Sequence, residues 1–321
     1  MPGGRHVEAV TDARFDLAPG ECLALVGESG CGKSVLASAL LGLLPGNAET
    51  AGAARLADGL DLLAADERTL AKAVRGRRIG LVPQSPAAHL TPVRTVRAHL
   101  EETVRALAGV PQAARRKAAL GKAALRKTAL RKTALRKTAL RKAAEAAAER
   151  AAFPASHLDH HPHQLSGGLA QRAATALALV GDAPLLLADE PTTGLDRDLV
   201  HRTVDELRAH TRDTGRALLM ITHDLAAAER IADTVAVMYA GRIVELAPAE
   251  EFFGRPGPRH PYSRGLLDAL PERAFAPIPG APPELGALPS GCAFAARCRA
   301  ADRVCRAERP VLTEGVACHH A

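Results

Sequence analysis

The octapeptide Gly27-Glu28-Ser29-Gly30-Cys31-Gly32-Lys33-Ser34 constrains this chain more than any other stretch. It has the form G-x-x-x-x-G-K-S and stands between an apolar run, Glu21 to Val26, that reads as a buried parallel strand and a helical pattern from Lys33, with Val35 in its first turn. Glycines let the backbone curl until successive N–H groups face one point, and the helix N-terminus adds partial positive charge there. Such a loop suits a phosphate chain: Lys33 would reach the β- and γ-phosphates, and Ser34 would ligate the Mg2+ that bridges them. A chance glycine-rich turn would need neither this spacing nor this strand-to-helix context.

Leu185 to Ala188 and Ala217 to Ile221 read as two further buried strands, each running into polar residues before a helical pattern resumes. Val235 to Tyr239, Ala240-Gly241 and Arg242 to Leu246 read as a closing hairpin. Strands alternating with helices imply an α/β parallel sheet. No run of eighteen apolar residues occurs and no secretory leader is expected at Met1 to Gly4, so a cytosolic chain is expected, with any membrane role carried by partners.

Net charge is +7, which would ordinarily raise nucleic acid as a partner, but the excess has one source. Between Arg115 and Lys142 lie twelve Lys or Arg and no acid; taking those twelve from +7 leaves the rest of the chain at −5. Residues from about Thr95 to Arg150 read as helical, and within them the unit KTALR recurs at Lys127, Lys132 and Lys137. Its leucines, five residues apart, advance about 140° each time, so they form no single apolar stripe. A solvated basic helix or a disordered insert is the expectation, and no specific nucleic-acid contact.

Leu185-Leu186-Leu187-Ala188-Asp189-Glu190 places two carboxylates at a strand end, where open α/β sheets bind ligands. Asp189 would hold the Mg2+ shell, and Glu190 would orient and polarise the attacking water as general base. Acids at a strand end are often only helix caps, so the pair is ambiguous by itself. Leu165-Ser166-Gly167-Gly168-Leu169-Ala170-Gln171, about twenty residues earlier and just before a helix, removes the ambiguity.

With GESGCGKS, LLLADEP, TTGLD at Thr192 to Asp196, and Ile221-Thr222-His223-Asp224, this LSGGLAQ stretch stands in the order and approximate spacing of ABC transporter ATPases, and the chain resembles that family over residues 7 to 245. The resemblance implies an ATP-hydrolysing P-loop fold with a mixed sheet core, an inserted helical subdomain over about 85–180 and the basic repeat as an insert at 117–142. It implies two subunits facing head to tail, with Ser166, Gly167 and Gly168 of one capping the γ-phosphate held by the other. Gln171 in the same stretch and Asp196 across the interface would join that contact. Gln84, in Val82-Pro83-Gln84-Ser85, matches the loop glutamine that touches Mg2+ and relays nucleotide state to the membrane subunits. His223 matches the histidine that contacts the γ-phosphate and steadies Glu190.

Beyond Glu250 prolines crowd the chain, so residues 1–250 read as the nucleotide-binding domain and 251–321 as a linker and C-terminal extension. Cys292, Cys298, Cys305 and Cys318 lie there, separated by five, six and twelve residues. Clustered thiols in a reducing compartment point to a metal or cluster site, though the paired C-x-x-C knuckles of most zinc ribbons are missing. The tail, with His260 to Leu267 before it, is similar to that of oligopeptide, dipeptide and nickel importer ATPases, which implies a [4Fe-4S] cluster, with Zn2+ as the alternative. Cys22 and Cys31 read as core or turn residues, and His157, His160, His161 and His163 as a polar loop.

The resemblance further implies an importer that takes up peptides, or nickel or another chelated metal. Its parts would be a second ATPase subunit (a heterodimer, or alternatively a homodimer), two membrane permease subunits and an extracytoplasmic solute-binding protein, at the cytoplasmic face of the membrane. Other readings are a non-transport ABC ATPase acting on nucleic acid or ribosomes, and a degenerate subunit that binds nucleotide poorly. Family members begin with another strand and an adenine-stacking aromatic residue, so a start upstream of Met1 is expected, with Phe15 in the core.

Overall fold

The structure is a computed structural model and describes residues 7–108 and 123–321. Six strands form one sheet: β1 (Cys22–Val26), β2 (Ile79–Val82), β3 (Leu185–Asp189), β4 (Ala217–Thr222), β5 (Thr234–Tyr239) and β6 (Arg242–Pro248), in the order β2-β3-β4-β1-β5-β6. Every neighbouring pair is parallel except β5 and β6. The chain is therefore α/β with a mixed sheet, as the motif order implied. Every residue of β1 and β4 is buried, as expected of strands covered by helices on both faces.

The hairpin between β5 and β6 turns at Ala240 and Gly241, with φ of 48° and 79°, the pair of positive angles that a tight turn compatible with strand twist requires. Strand β2 has no counterpart in the sequence reading. It is four residues long and contains Gly80, where a Cβ would come 2.8 Å from Ala178 O and 2.9 Å from a Leu186 methyl. A glycine chosen for close helix-to-strand approach erases the apolar run that marks a strand.

The helices that matter below are α1 (Lys33–Leu40), α2 (Val96–Leu107), α3 (Ala123–Arg150), α4 (Gly167–Ala178), α5 (Arg197–Thr214), α6 (Leu225–Ile231), α7 (Pro261–Asp268) and α8 (Arg303–Ala307). One apolar cluster joins Leu23, Leu25 and Ile221 of the sheet to Ala37 beside the phosphate loop, with Phe15 packed against it. A second joins Leu186 and Leu218 to Ala173 and Ala176 of α4, Leu100 of α2 and Ala147 of α3. A third joins Val26, Val235 and Tyr239 to Phe252, Tyr262 and Phe294, which ties the Pro-rich C-terminal segment onto the sheet.

The basic repeat belongs to α3, a helix of 28 residues and so about 42 Å long; residues 117–122 of the expected insert lie outside the described residues. The last turns of α3 anchor it. Ala144, Ala147 and Ala148 are buried against α2, and Arg97 of α2 bonds Glu145 at 3.1 Å and Asp159 at 2.7 Å and 3.0 Å. Lys137, Arg141 and Lys142 are exposed, so this end of the repeat is a solvated basic helix.

Candidate active site

Because β2, β3, β4 and β1 are adjacent and parallel, their C-terminal ends open on one edge of the sheet, and each delivers a polar residue to it. β1 runs into the loop Gly27–Ser34. At Gly27 a Cβ would lie 2.2 Å from Met238 O, and at Gly32 one would lie 2.4 Å from Ala9 O. The loop is thus backed by the β5–β6 turn and by residues 8–12, and only glycine fits at these two positions. Gly241 N–H donates to Cys31 O at 2.9 Å and closes that backing.

The Lys33 ammonium is held inside the loop by Gly27 O at 2.7 Å and Glu28 O at 3.0 Å, and the side chain is 4% exposed. Ser34 Oγ donates to Asp189 Oδ1 at 3.2 Å, which joins the helix start to the end of β3. Burial first of all pushes the Asp189 carboxyl above its ordinary range, with the Ser34 hydrogen bond opposing it and Glu190 adding to it. A half-buried carboxylate beside a hydroxyl is what a hard cation with oxygen ligands resolves, so the donor set fits Mg2+.

Glu190 turns out of β3 in the left-handed region, at φ 46°, an unusual conformation for a residue with a side chain. Its N–H donates to Ile221 O at 2.8 Å, and its carboxylate is gripped from three sides. Gln84 Nε2 donates to Oε2 at 2.8 Å, Thr193 Oγ1 donates to Oε2 at 3.0 Å, and His223 Nδ1 stands 3.2 Å from Oε1. Burial raises its pKa, but the Thr193 and His223 hydrogen bonds and the His223 and Lys33 charges together outweigh burial and hold it below the usual carboxylate value. Gln84 and His223, far apart in sequence, are therefore joined through Glu190 in one hydrogen-bonded constellation, beside the Ser34–Asp189 pair and Lys33. Thr193 belongs to it as well; its place in the TTGLD turn was visible in the sequence but its role was not.

Ser166 caps α4, its Oγ accepting from Leu169 N at 3.3 Å, and Gly167 and Gly168 form the first turn. Ser166 and Gly167 are exposed, and no hydrogen bond joins them to the phosphate loop of the same chain among the described residues. Asp196 likewise caps α5 through Leu199 N at 3.0 Å, and it is exposed. Gln171 differs. It is 2% exposed on the inward side of α4, and its Nε2 lacks a partner, so this geometry does not present it to a nucleotide as the sequence reading expected. Five residues beyond the Ser166 cap, Gln171 lies about 140° round the helix from it, on the side that packs inward.

Residues 10–193 match the family model described as ABC transporter. A probable peptide ABC transporter ATP-binding protein of Sinorhizobium fredii is 39% identical over 96% of this chain and 87% of its own length. This chain belongs to the ABC transporter ATPase family. The dipeptide transport ATP-binding protein DppD of Bacillus subtilis is 36% identical to this ABC ATPase over 92% of the chain and 82% of that protein. The fold agrees with a solved dimeric, post-hydrolysis state of the ATP-binding cassette MJ0796 bound to ADP and Pi, at a TM-score of 0.60 and 23% identity over 75% of this chain and 90% of that one. Residues 244–305 match a second model, the oligopeptide/dipeptide transporter C-terminal region.

In that C-terminal region of the ABC ATPase, Cys292, Cys298, Cys305 and Cys318 line one small cavity together with His260 and Phe294. Burial pushes the Cys292 thiol up, and the other three cysteines add to the rise. Among the described residues, the one group of three metal-ligating side chains within 4.8 Å of one another is Asp302, Cys305 and His320. Four thiols lining one cavity are a donor set of the kind that holds a metal ion or an iron–sulfur cluster. Cys22 and Cys31 are buried. Burial takes the Cys22 thiol up to about 12, as befits a core residue. His157 stacks on His160 and His161 on His163, and none of the four joins a three-donor group.

Proposed function

We propose that this chain is the ATP-hydrolysing subunit of an importer of peptides. It would work at the cytoplasmic face of the membrane as one of two ATPase subunits, coupled to two permease subunits and an extracytoplasmic solute-binding protein. The observation that carries the proposal is the carboxylate of Glu190, oriented by Gln84, Thr193 and His223 at the sheet edge that also holds Lys33, Ser34 and Asp189. The names of the relatives, peptide and dipeptide ATP-binding proteins, favour peptides and an importer over an ATPase acting on nucleic acid. Among the described residues no helix is long and apolar enough to cross a membrane, which fits a motor whose channel is built by other chains.

In this reading the N–H groups of Ser29 to Ser34 cradle the β- and γ-phosphates, and Lys33 neutralises their charge. Ser34 and Asp189 would hold Mg2+, and Gln84, whose amide nitrogen donates to Glu190, has its amide oxygen free to join them. Glu190 accepts the proton of the attacking water, and His223 keeps the carboxylate aimed. Ser166, Gly167 and Gly168, at the start of α4 with the first two exposed, cap the γ-phosphate held by the partner subunit, and Asp196 faces the same junction.

The four cysteines would hold a [4Fe-4S] cluster, which would cross-link the C-terminal segment. The test of the whole is uptake of a labelled peptide into vesicles carrying the complete transporter. Uptake and peptide-stimulated phosphate release should both disappear with Lys33→Ala. A transporter that hydrolyses ATP and yet responds to no peptide would refute the assigned cargo.

A further inference from the structure

Glu28, the second residue of the phosphate loop, is a carboxylate beside the place where a polyanion is to bind. Left alone it would repel its own ligand. Instead its two oxygens receive a two-pronged contact from Arg297, Nη1 to Oε2 at 2.7 Å and Nη2 to Oε1 at 2.9 Å. Arg297 lies far along the chain, in the segment between Cys292 and Cys298. Its side chain is only 4% exposed. Its Nε donates to Pro279 O at 2.9 Å, its Nη1 lies 3.3 Å from the Tyr239 hydroxyl, and its guanidinium sits 5.8 Å from the centroids of both the Tyr239 and Phe294 rings. A planar fork clamped by a carbonyl and two ring faces cannot swing away, so it fixes whatever carboxylate it meets.

The backbone of Glu28 is gripped as well. Its N–H donates to the Tyr262 hydroxyl at 2.9 Å, which turns that donor away from the phosphates, and its carbonyl is one of the two that receive the Lys33 ammonium. Tyr262 lies in α7 and packs on Tyr239 with ring centroids 4.5 Å apart. The chain has only these two tyrosines, and both brace this one loop residue. The carboxylate, the N–H and the carbonyl of Glu28 are thus each fixed, two of them by the segment beyond residue 250.

We propose that Arg297 and Tyr262 are positioning residues for ATP binding: the cysteine-bearing segment holds the phosphate loop in its binding conformation through Glu28 and so sets the affinity for MgATP. The proposal rests on the reading of Gly27–Ser34 as the phosphate loop. It assigns that segment a role in the nucleotide site, beyond packing on the sheet.

The assembled transporter carrying Arg297→Gln, Arg297→Lys, Glu28→Gln or the double change Arg297→Gln/Glu28→Gln tests it, with Arg309→Ala as control, since Arg309 donates to Pro289 O elsewhere in the segment. Arg297→Gln should raise KM for MgATP about tenfold, the size of a coupling between residues in direct contact, with kcat retained. Arg297→Lys, which keeps the charge and loses the fork, should recover part of the affinity. The double variant should be no worse than Arg297→Gln, because the two changes remove one contact. Arg309→Ala should behave as the unaltered protein.

If Arg297→Gln does not fold, Glu28→Gln, nearly isosteric and partly solvent-facing, decides the question through the same rise in KM. Unchanged KM in both single variants, or a double variant whose loss is the product of the two, overturns the proposal; so does a lowered melting temperature with KM unmoved. Lys33→Ala separates the two levels. If it binds MgATP normally, the phosphate-loop reading itself fails, whereas lost binding in Lys33→Ala with normal binding in Arg297→Gln and Glu28→Gln sinks only this inference.

Discussion

Replacing Glu190 by Gln isolates the chemical step from binding. The carboxylate receives Gln84 Nε2 and Thr193 Oγ1 on Oε2 and faces His223 Nδ1 through Oε1. A glutamine that keeps its oxygen toward the two donors turns its NH2 toward His223, whose Nδ1 can accept, so the substitution preserves all three contacts and removes only the charge and the basicity. Positioned general bases contribute roughly 10²–10⁴-fold to rate, equivalent to about 3 to 5 kcal/mol of barrier. Phosphate release by the assembled transporter should fall by that factor. MgATP affinity, measured by equilibrium binding, should stay within about twofold, because the charge removed lies beyond the γ-phosphate and not in the loop that grips it. Hydrolysis within tenfold of the unaltered protein would refute the assignment of Glu190 as the base.

Gly27→Ala drives a Cβ to 2.2 Å from Met238 O; MgATP binding should be lost by isothermal titration while the far-ultraviolet circular dichroism of the sheet and helices persists. Anaerobically purified protein should be brown and carry about four irons per chain, the content of a [4Fe-4S] centre, and Cys298→Ser should lower the iron; a colourless, zinc-loaded preparation rejects the cluster. The pKa of His210, 8% exposed, is depressed to about 4 from 6.5, by burial first and then by the charges of Arg216 and Arg150. A histidine held neutral in the folded state stabilises it above pH 6.5 and loses that stabilisation as pH falls toward 4. Discounted for partial solvent access, the loss at pH 5 is about 1 kcal/mol, or roughly 1–2 °C in melting temperature for a chain of 321 residues, and His210→Gln should flatten that slope.

Local pattern alone located the chemistry. The octapeptide from Gly27 to Ser34 needs specific residues at fixed spacing between a strand and a helix, and Asp189 and Glu190 needed only to end a strand whose apolar run is unbroken; such requirements are written along the chain. Strand β2 was hidden because Gly80 answers to Ala178 and Leu186, residues that reach it only through the folded sheet. Gln171 was misread for a related reason: a motif gives spacing along a helix, and packing against the sheet decides which face is buried.

The sequence by itself determined the phosphate loop, the carboxylate pair, the serine-glycine helix cap and hence the family, since each is a short-range requirement of backbone shape or of a residue's chemistry. Tertiary structure alone decided that Gln84, Thr193 and His223 converge on Glu190, and that Arg297 and Tyr262 reach back to Glu28. Those contacts span between 3 and 269 residues of chain, and the long ones depend on which strands become neighbours in the sheet. Strand order is fixed by burial and crossover geometry summed over the whole molecule, so no local stretch of sequence encodes it.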